Sequence, residues 1–213
     1  MKKTFEEIAD EVRMIIDENE DNSALITETD EVANDTDKIT KEMIMQSVDM
    51  VHQIAPLWKT TDVQTQTTVS LTPYKKGKAG TVPSDFLRFV LADASDWSRK
   101  VYEPITEGSA EYQMQSSEFA GIRGSAERPV VAIVPGLINL NIEVYTTSGG
   151  SITLAYIKKA SAVAGSVTIA DMCYKAMLNM VAKYYMVSVG EPERAAHYDA
   201  VVKELLGIDT NTE

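Results

Sequence analysis

The apolar residues of this chain change their spacing twice, and that change constrains the fold more than any single motif. Up to about Ile54 they recur every three or four positions, between Asp62 and Thr168 they alternate with polar residues, and from Ile169 the helical spacing returns. A chain patterned in this way is expected to be α+β: a four-helix frame, with two N-terminal and two C-terminal helices, and an inserted antiparallel β module of about six strands. The expected divisions are 1–60 for the N-terminal helices and an acidic loop, 61–168 for the β module, and 169–213 for the C-terminal helical pair that completes the frame.

Local signals place the helices. Thr4 and Glu7 have the spacing of a capping box, and Phe5, Ile8, Val12, Ile15 and Ile16 share one face, which predicts a first helix from about Thr4 to Glu18. The stretch from Asp17 to Asp37 is acidic and polar and is expected to be an exposed loop with one apolar contact at Leu25 and Ile26. Asp37 is positioned to cap a second helix carrying Ile39, Met43, Ile44, Val48, Val51 and Ile54, and Pro56 stops it. Trp58, directly after that stop, is expected to plug the core, and His52 to be a surface or hydrogen-bonded histidine rather than a ligand. Ala170, Cys173, Ala176, Met177, Met180, Val181 and Tyr184 predict a third helix that ends at Gly190. Pro192 opens a fourth, with Ala195, Tyr198, Val201, Val202, Leu205 and Leu206 on its buried face and Gly207 as its stop.

The β module centres on Thr81 to Ile105. Pro83, Ser84 and Asp85 make a turn, Phe86 to Leu91 a strand containing Arg88, and Asp93 to Asp96 a second turn that leads to Trp97 and a returning strand. Further strands are expected at Gln64 to Leu71, Pro129 to Val134, Leu137 to Tyr145 and Ser151 to Ile157, the last two joined by the hairpin signal Thr146 to Gly150. Tyr74 to Gly80 reads as a basic loop tip, Tyr112 to Ser116 as a strand fragment, and Phe119 to Arg128 as a loop.

Charge and composition bound the chemistry. The net charge of −12 opposes duplex binding through neutralised phosphates and instead suits a surface that DNA passes without being gripped. One cysteine excludes an intramolecular disulfide, and Cys173 is expected in the core. The start of the chain has no long apolar run after its lysines, so neither a signal peptide nor a membrane span is expected, and the chain reads as a soluble intracellular product. No Walker loop, dinucleotide fingerprint, nucleophile elbow, HExxH or zinc spacing is present, so no catalytic residue, cofactor or metal site is expected. Two other readings stay open at this point: a nucleic-acid-binding module using Lys75, Lys76, Lys78, Lys158 and Lys159, and a carboxylate-based hydrolase whose residues come together only in the fold.

The stretch from Val82 to Val134 resembles the β module of tailed-phage head-to-tail adaptor proteins, the portal-proximal ring proteins of crAss-like phages in particular. The residues that carry the resemblance are Pro83, Asp85, Phe86, Leu87, Arg88, Trp97, Arg128 and Pro129, followed by a helical pair containing Tyr184, Tyr185 and the Glu191-Pro192 break. The resemblance implies a non-enzymatic virion protein that forms a ring of about twelve subunits between portal and tail and lines the DNA exit channel. Its implied partners are the portal protein and the adjacent tail or ring proteins, with no membrane and no sequence-specific DNA contact. Its implied location is the portal–tail junction of the virion, and the host cytoplasm during assembly. Phe86, Arg88, Trp97, Arg128, Tyr184 and Tyr185 are the candidate structural or interface residues, and the acidic segment 17–37 has no counterpart in the pattern.

Overall fold

The computed structural model describes residues 1–18, 39–136, 139–145 and 149–208. It is α+β, with five α-helices and about ten strands in three sheets among the described residues. The chain divides into two compact units, one of residues 1–63 with 160–213 and the other Gln64–Lys159.

The first unit is mainly helical. Strand β1 (Lys2–Thr4) pairs antiparallel with β10 (Ser166–Thr168), and α1 (Phe5–Glu18) starts directly behind it. The capping box forms in both directions: the Glu7 amide donates to Thr4 Oγ1 (3.1 Å) and the Thr4 amide donates to Glu7 Oε2 (2.8 Å). Helix α2 (Lys41–Ile54) is capped by Thr40, whose hydroxyl accepts from the Met43 amide. Asp37, the expected cap, lies outside the described residues, as do Leu25 and Ile26. A single 3-10 turn (Asp171–Cys173) precedes α4 (Tyr174–Val189), and α5 (Pro192–Leu206) follows. Gly190 and Gly207 close these two helices at φ of 86° and 70°, where a side chain would be strained. Ile8 and Val12 of α1, Ile44 and Val48 of α2, Met177 and Val181 of α4, and Tyr198 and Val202 of α5 meet in one core.

The second unit packs two sheets face to face. One has the order β2-β9-β5, from β2 (Gln64–Ser70), β9 (Ser151–Lys158) and β5 (Phe86–Asp93), all antiparallel. The other has the order β3-β4-β8-β7-β6, from β3 (Thr72–Tyr74), β4 (Gly77–Thr81), β8 (Leu140–Val144), β7 (Val131–Pro135) and the two-residue β6 (Ile105–Thr106), which runs parallel to β7. Val69, Phe89, Leu154 and Tyr156 from the first sheet and Val131, Ile142 and Val144 from the second share a core with Trp97. Between β2 and β3 the chain crosses from one sheet to the other, and a Cβ at Gly80 would lie 2.6 Å from the Ser70 carbonyl oxygen, so only glycine fits there.

Several expectations change. Tyr112 to Ser116 is not a strand, because Ser109 accepts from the Tyr112 amide (3.1 Å) and opens a short helix, α3 (Ala110–Met114). Tyr74 to Gly80 is not a free loop tip: it is the β3–β4 hairpin, with Tyr74 paired to Gly77 and the turn at Lys75 and Lys76. The segment to Thr168 does not all join the β module, since β10 pairs with β1 in the helical unit. Trp58 is not a core plug. It is 60% exposed, on a 3-10 turn (Leu57–Lys59) none of whose residues is buried. Part of the Thr146 to Gly150 hairpin signal, and Leu137 of the preceding strand, lie outside the described residues.

Candidate functional site

The six residues singled out from sequence do not form one cluster. Phe86, Arg88, Trp97 and Arg128 belong to the β unit, Tyr184 and Tyr185 to the helical unit. Phe86 is buried and stacks on Tyr156, with ring centroids 5.7 Å apart. Asp85, beside it, accepts from the Tyr156 hydroxyl (2.9 Å), and the Asp85 carbonyl accepts from the Lys159 amide (2.7 Å), so the Pro-Ser-Asp-Phe turn fastens β5 to the end of β9. Burial and this hydrogen bond push the Tyr156 hydroxyl up to about 12. Trp97 is buried in the inter-sheet core, its amide donating to Ala94 to close the turn after β5. Arg88 is half-buried on β5, and loss of hydration lowers its pKa. Tyr185 is buried in the helical core and Tyr184 packs against that core from its edge.

One polar cluster of the β unit was not visible in the sequence. Alternation along β8 directs Ile142 and Val144 into the inter-sheet core and Glu143 to the opposite face. That face is covered by α3, and Glu143 is only 3% exposed. Its carboxylate accepts from the hydroxyl of Tyr112 on α3 (2.9 Å) and from the hydroxyl of Tyr145, and Lys75 Nζ stands 3.7 Å away. Lys75 also donates to the Tyr112 hydroxyl (3.3 Å) and lies over the Tyr74 ring. The hydrogen bond to Tyr112 raises the Lys75 pKa, while burial and Glu143 raise that of Tyr145. Every member of this cluster has a partner, and the arrangement ties hairpin, helix and sheet together.

The other lysines of the hairpin are also engaged. Lys76 pairs with Glu118 (2.8 Å) and Lys78 donates to the Gly149 carbonyl (2.6 Å), while Lys158 pairs with Asp85 (3.4 Å). These bonds leave less of the lysine set available to a phosphate backbone than the sequence suggests.

Next to α3 the unit has a surface recess of about 310 Å³. Three arginines, Arg99, Arg123 and Arg128, line it together with one carboxylate, Glu111, over apolar side chains that include Ile105 and Val130. Arg128 spends one guanidinium donor on the Gly121 carbonyl (3.1 Å), and its backbone exchanges hydrogen bonds with Ser125. The Gly124 amide donates to Gln115 Oε1 (2.8 Å), so both glycines of the Gly121 to Gly124 spacing brace this loop. Arg123 Nε is buried and has no hydrogen-bond partner among the described residues. Close to the recess in sequence, Phe119 is 73% exposed.

In the helical unit the chemistry-bearing groups are enclosed. His52 is 2% exposed and Nε2 accepts from the Ala170 amide (3.1 Å), and burial pushes its pKa down to about 4 against an opposing effect of Asp62. Cys173 is buried, with its thiol pushed up to about 11 by burial and Sγ donating to the Lys59 carbonyl (3.7 Å). Among the described residues no group of three or more His, Cys, Asp or Glu is placed to hold a metal ion, and no helix is long and apolar enough to cross a membrane. Comparison with known proteins finds no matching family model and no matching curated protein.

Proposed function

We propose that the chain is a structural subunit of a head-to-tail adaptor ring, joining a phage portal to the tail around the channel through which DNA leaves. The observation that carries this reading is the set of large apolar side chains left uncovered on both units. Phe119 and Tyr102 are exposed on the β unit, and Trp58 and Met172 on the helical unit. A ring subunit meets its two neighbours through different surfaces and its axial partners through others, so it exposes apolar groups in more than one place.

Two further features support the reading. The positions that resemble the adaptor pattern have scaffold roles: Asp85 and Phe86 fasten two strands, and Trp97 fills the core between sheets. Among the described residues the sheets also end in strands with one side open, β2 in one and β3 and β6 in the other, and β5 is covered on its outer side only where Ala92 bridges Val101, which leaves edges for a neighbouring subunit to cover. The net charge of −12 suits a channel wall past which a polyanion slides.

Measuring the mass of the purified chain mixed with its portal tests the proposal. A discrete complex holding several copies of the chain per portal is expected, and a chain that stays monomeric with no portal contact would overturn it.

A further inference from the structure

We infer that the recess beside α3 is a docking site for an acidic peptide segment, one in which a carboxylate side chain lies next to an apolar one. Three arginines line the recess against one lining glutamate, and the nearby Glu118, which feels Arg123, is itself paired with Lys76, so the recess is a local positive site on a chain of net charge −12. Guanidinium groups present planar pairs of donors that match a carboxylate, and clusters of arginine are a recurrent means of reading acidic motifs.

The donors are partly unspent. Arg123 Nε is shut away from water, and therefore from a ligand, so a carboxylate in the recess meets this side chain at its terminal guanidinium nitrogens. Arg128 is positioned by its bond to Gly121, which leaves its other donors for a ligand while fixing the guanidinium in place.

The apolar part of the lining distinguishes the peptide from a nucleic acid. Ile105, Val130, Met114 and Ile122 line the same recess, with Met114 and Ile122 about half exposed. A phosphodiester backbone offers nothing to bury there, and a long polyanion would also be repelled by the charge of the whole chain. A volume of about 310 Å³ is at the small end for a binding pocket, enough for a few side chains of a segment that continues across the surface. The site stands on its own residues and holds whether or not the chain forms a ring.

Fluorescence polarisation on the full chain tests it, using a dye-labelled peptide of alternating glutamate and leucine and a second peptide with glutamine at every glutamate. Saturable binding of the first is expected, with the glutamine peptide at least about tenfold weaker. Arg99→Glu, at an exposed position with little folding risk, should weaken binding by about tenfold or more, and Arg123→Lys should weaken it while keeping the charge. Equal binding of the two peptides would overturn the inference, as would an Arg99→Glu variant that melts and binds like the parent. Displacement of the peptide by oligothymidine at lower concentration than by unlabelled peptide would also overturn it, and would assign the recess to phosphate.

Discussion

His52 shows how a single buried side chain sets a condition on stability. It is neutral in the fold because burial holds its pKa at about 4, against an ordinary value of 6.5, and the neutral ring is what accepts the Ala170 amide. Between those two values the unfolded chain binds the proton and the folded chain does not. The stabilisation is therefore complete above pH 6.5 and is lost as pH falls towards 4, by about 3 kcal/mol in all. Denaturant titrations from pH 7.5 to 4.5, compared with His52→Gln, should show a steeper loss for the parent, and parallel curves would contradict it. Trp97 is the second residue with a defined consequence. Removing its buried ring by Trp97→Ala should cost the β unit about 3 kcal/mol or more, read from the shift of the denaturation midpoint. A variant that melts like the parent yet no longer assembles would instead put Trp97 in a contact between subunits. The two tryptophans also mark what a sequence reveals at this scale. Trp97 follows a turn that the polar run Asp93 to Asp96 announces, and the structure places its ring in the core between sheets. Trp58 has the same composition signal, but the 3-10 turn after Pro56 directs it outwards, and nothing in the spacing records that direction.

At the scale of elements, periodicity and caps were legible, and coverage was not. The capping box at Thr4, the stops at Gly190 and Gly207 and the turn at Pro83 are local interactions, so their residues announce them. The role of Glu143 depends on α3 crossing the far face of the sheet, a tertiary event between positions 31 residues apart. Five residues are too short for a clear helical period, and Tyr112 to Ser116 therefore looked like strand. The arginine recess was hidden for the same reason, since Arg99, Arg123 and Arg128 come together only when the loop after α3 is braced by Gln115 and Gly121. If the Tyr112 hydroxyl fastens α3 and the hairpin to Glu143, Tyr112→Phe should destabilise the chain by about 2 kcal/mol in urea denaturation. The same change should cost clearly less in a Glu143→Gln background, because the charged acceptor is gone. Additive losses would mean that the cluster does not act as a unit.

For the whole molecule, the alternation of apolar spacing foretold an α+β chain, and the structure has that class. It did not foretell that the strand pair of Lys2–Thr4 and Ser166–Thr168 would stand in the helical unit, because three-residue strands have no readable period. The two units have separate cores, and each leaves large apolar side chains exposed, which is the property on which the adaptor reading rests. Electron microscopy of the chain assembled with its portal tests that reading most directly. The account predicts a closed ring of about twelve copies seated at the portal, and portals without added density beside monomeric chain would contradict it.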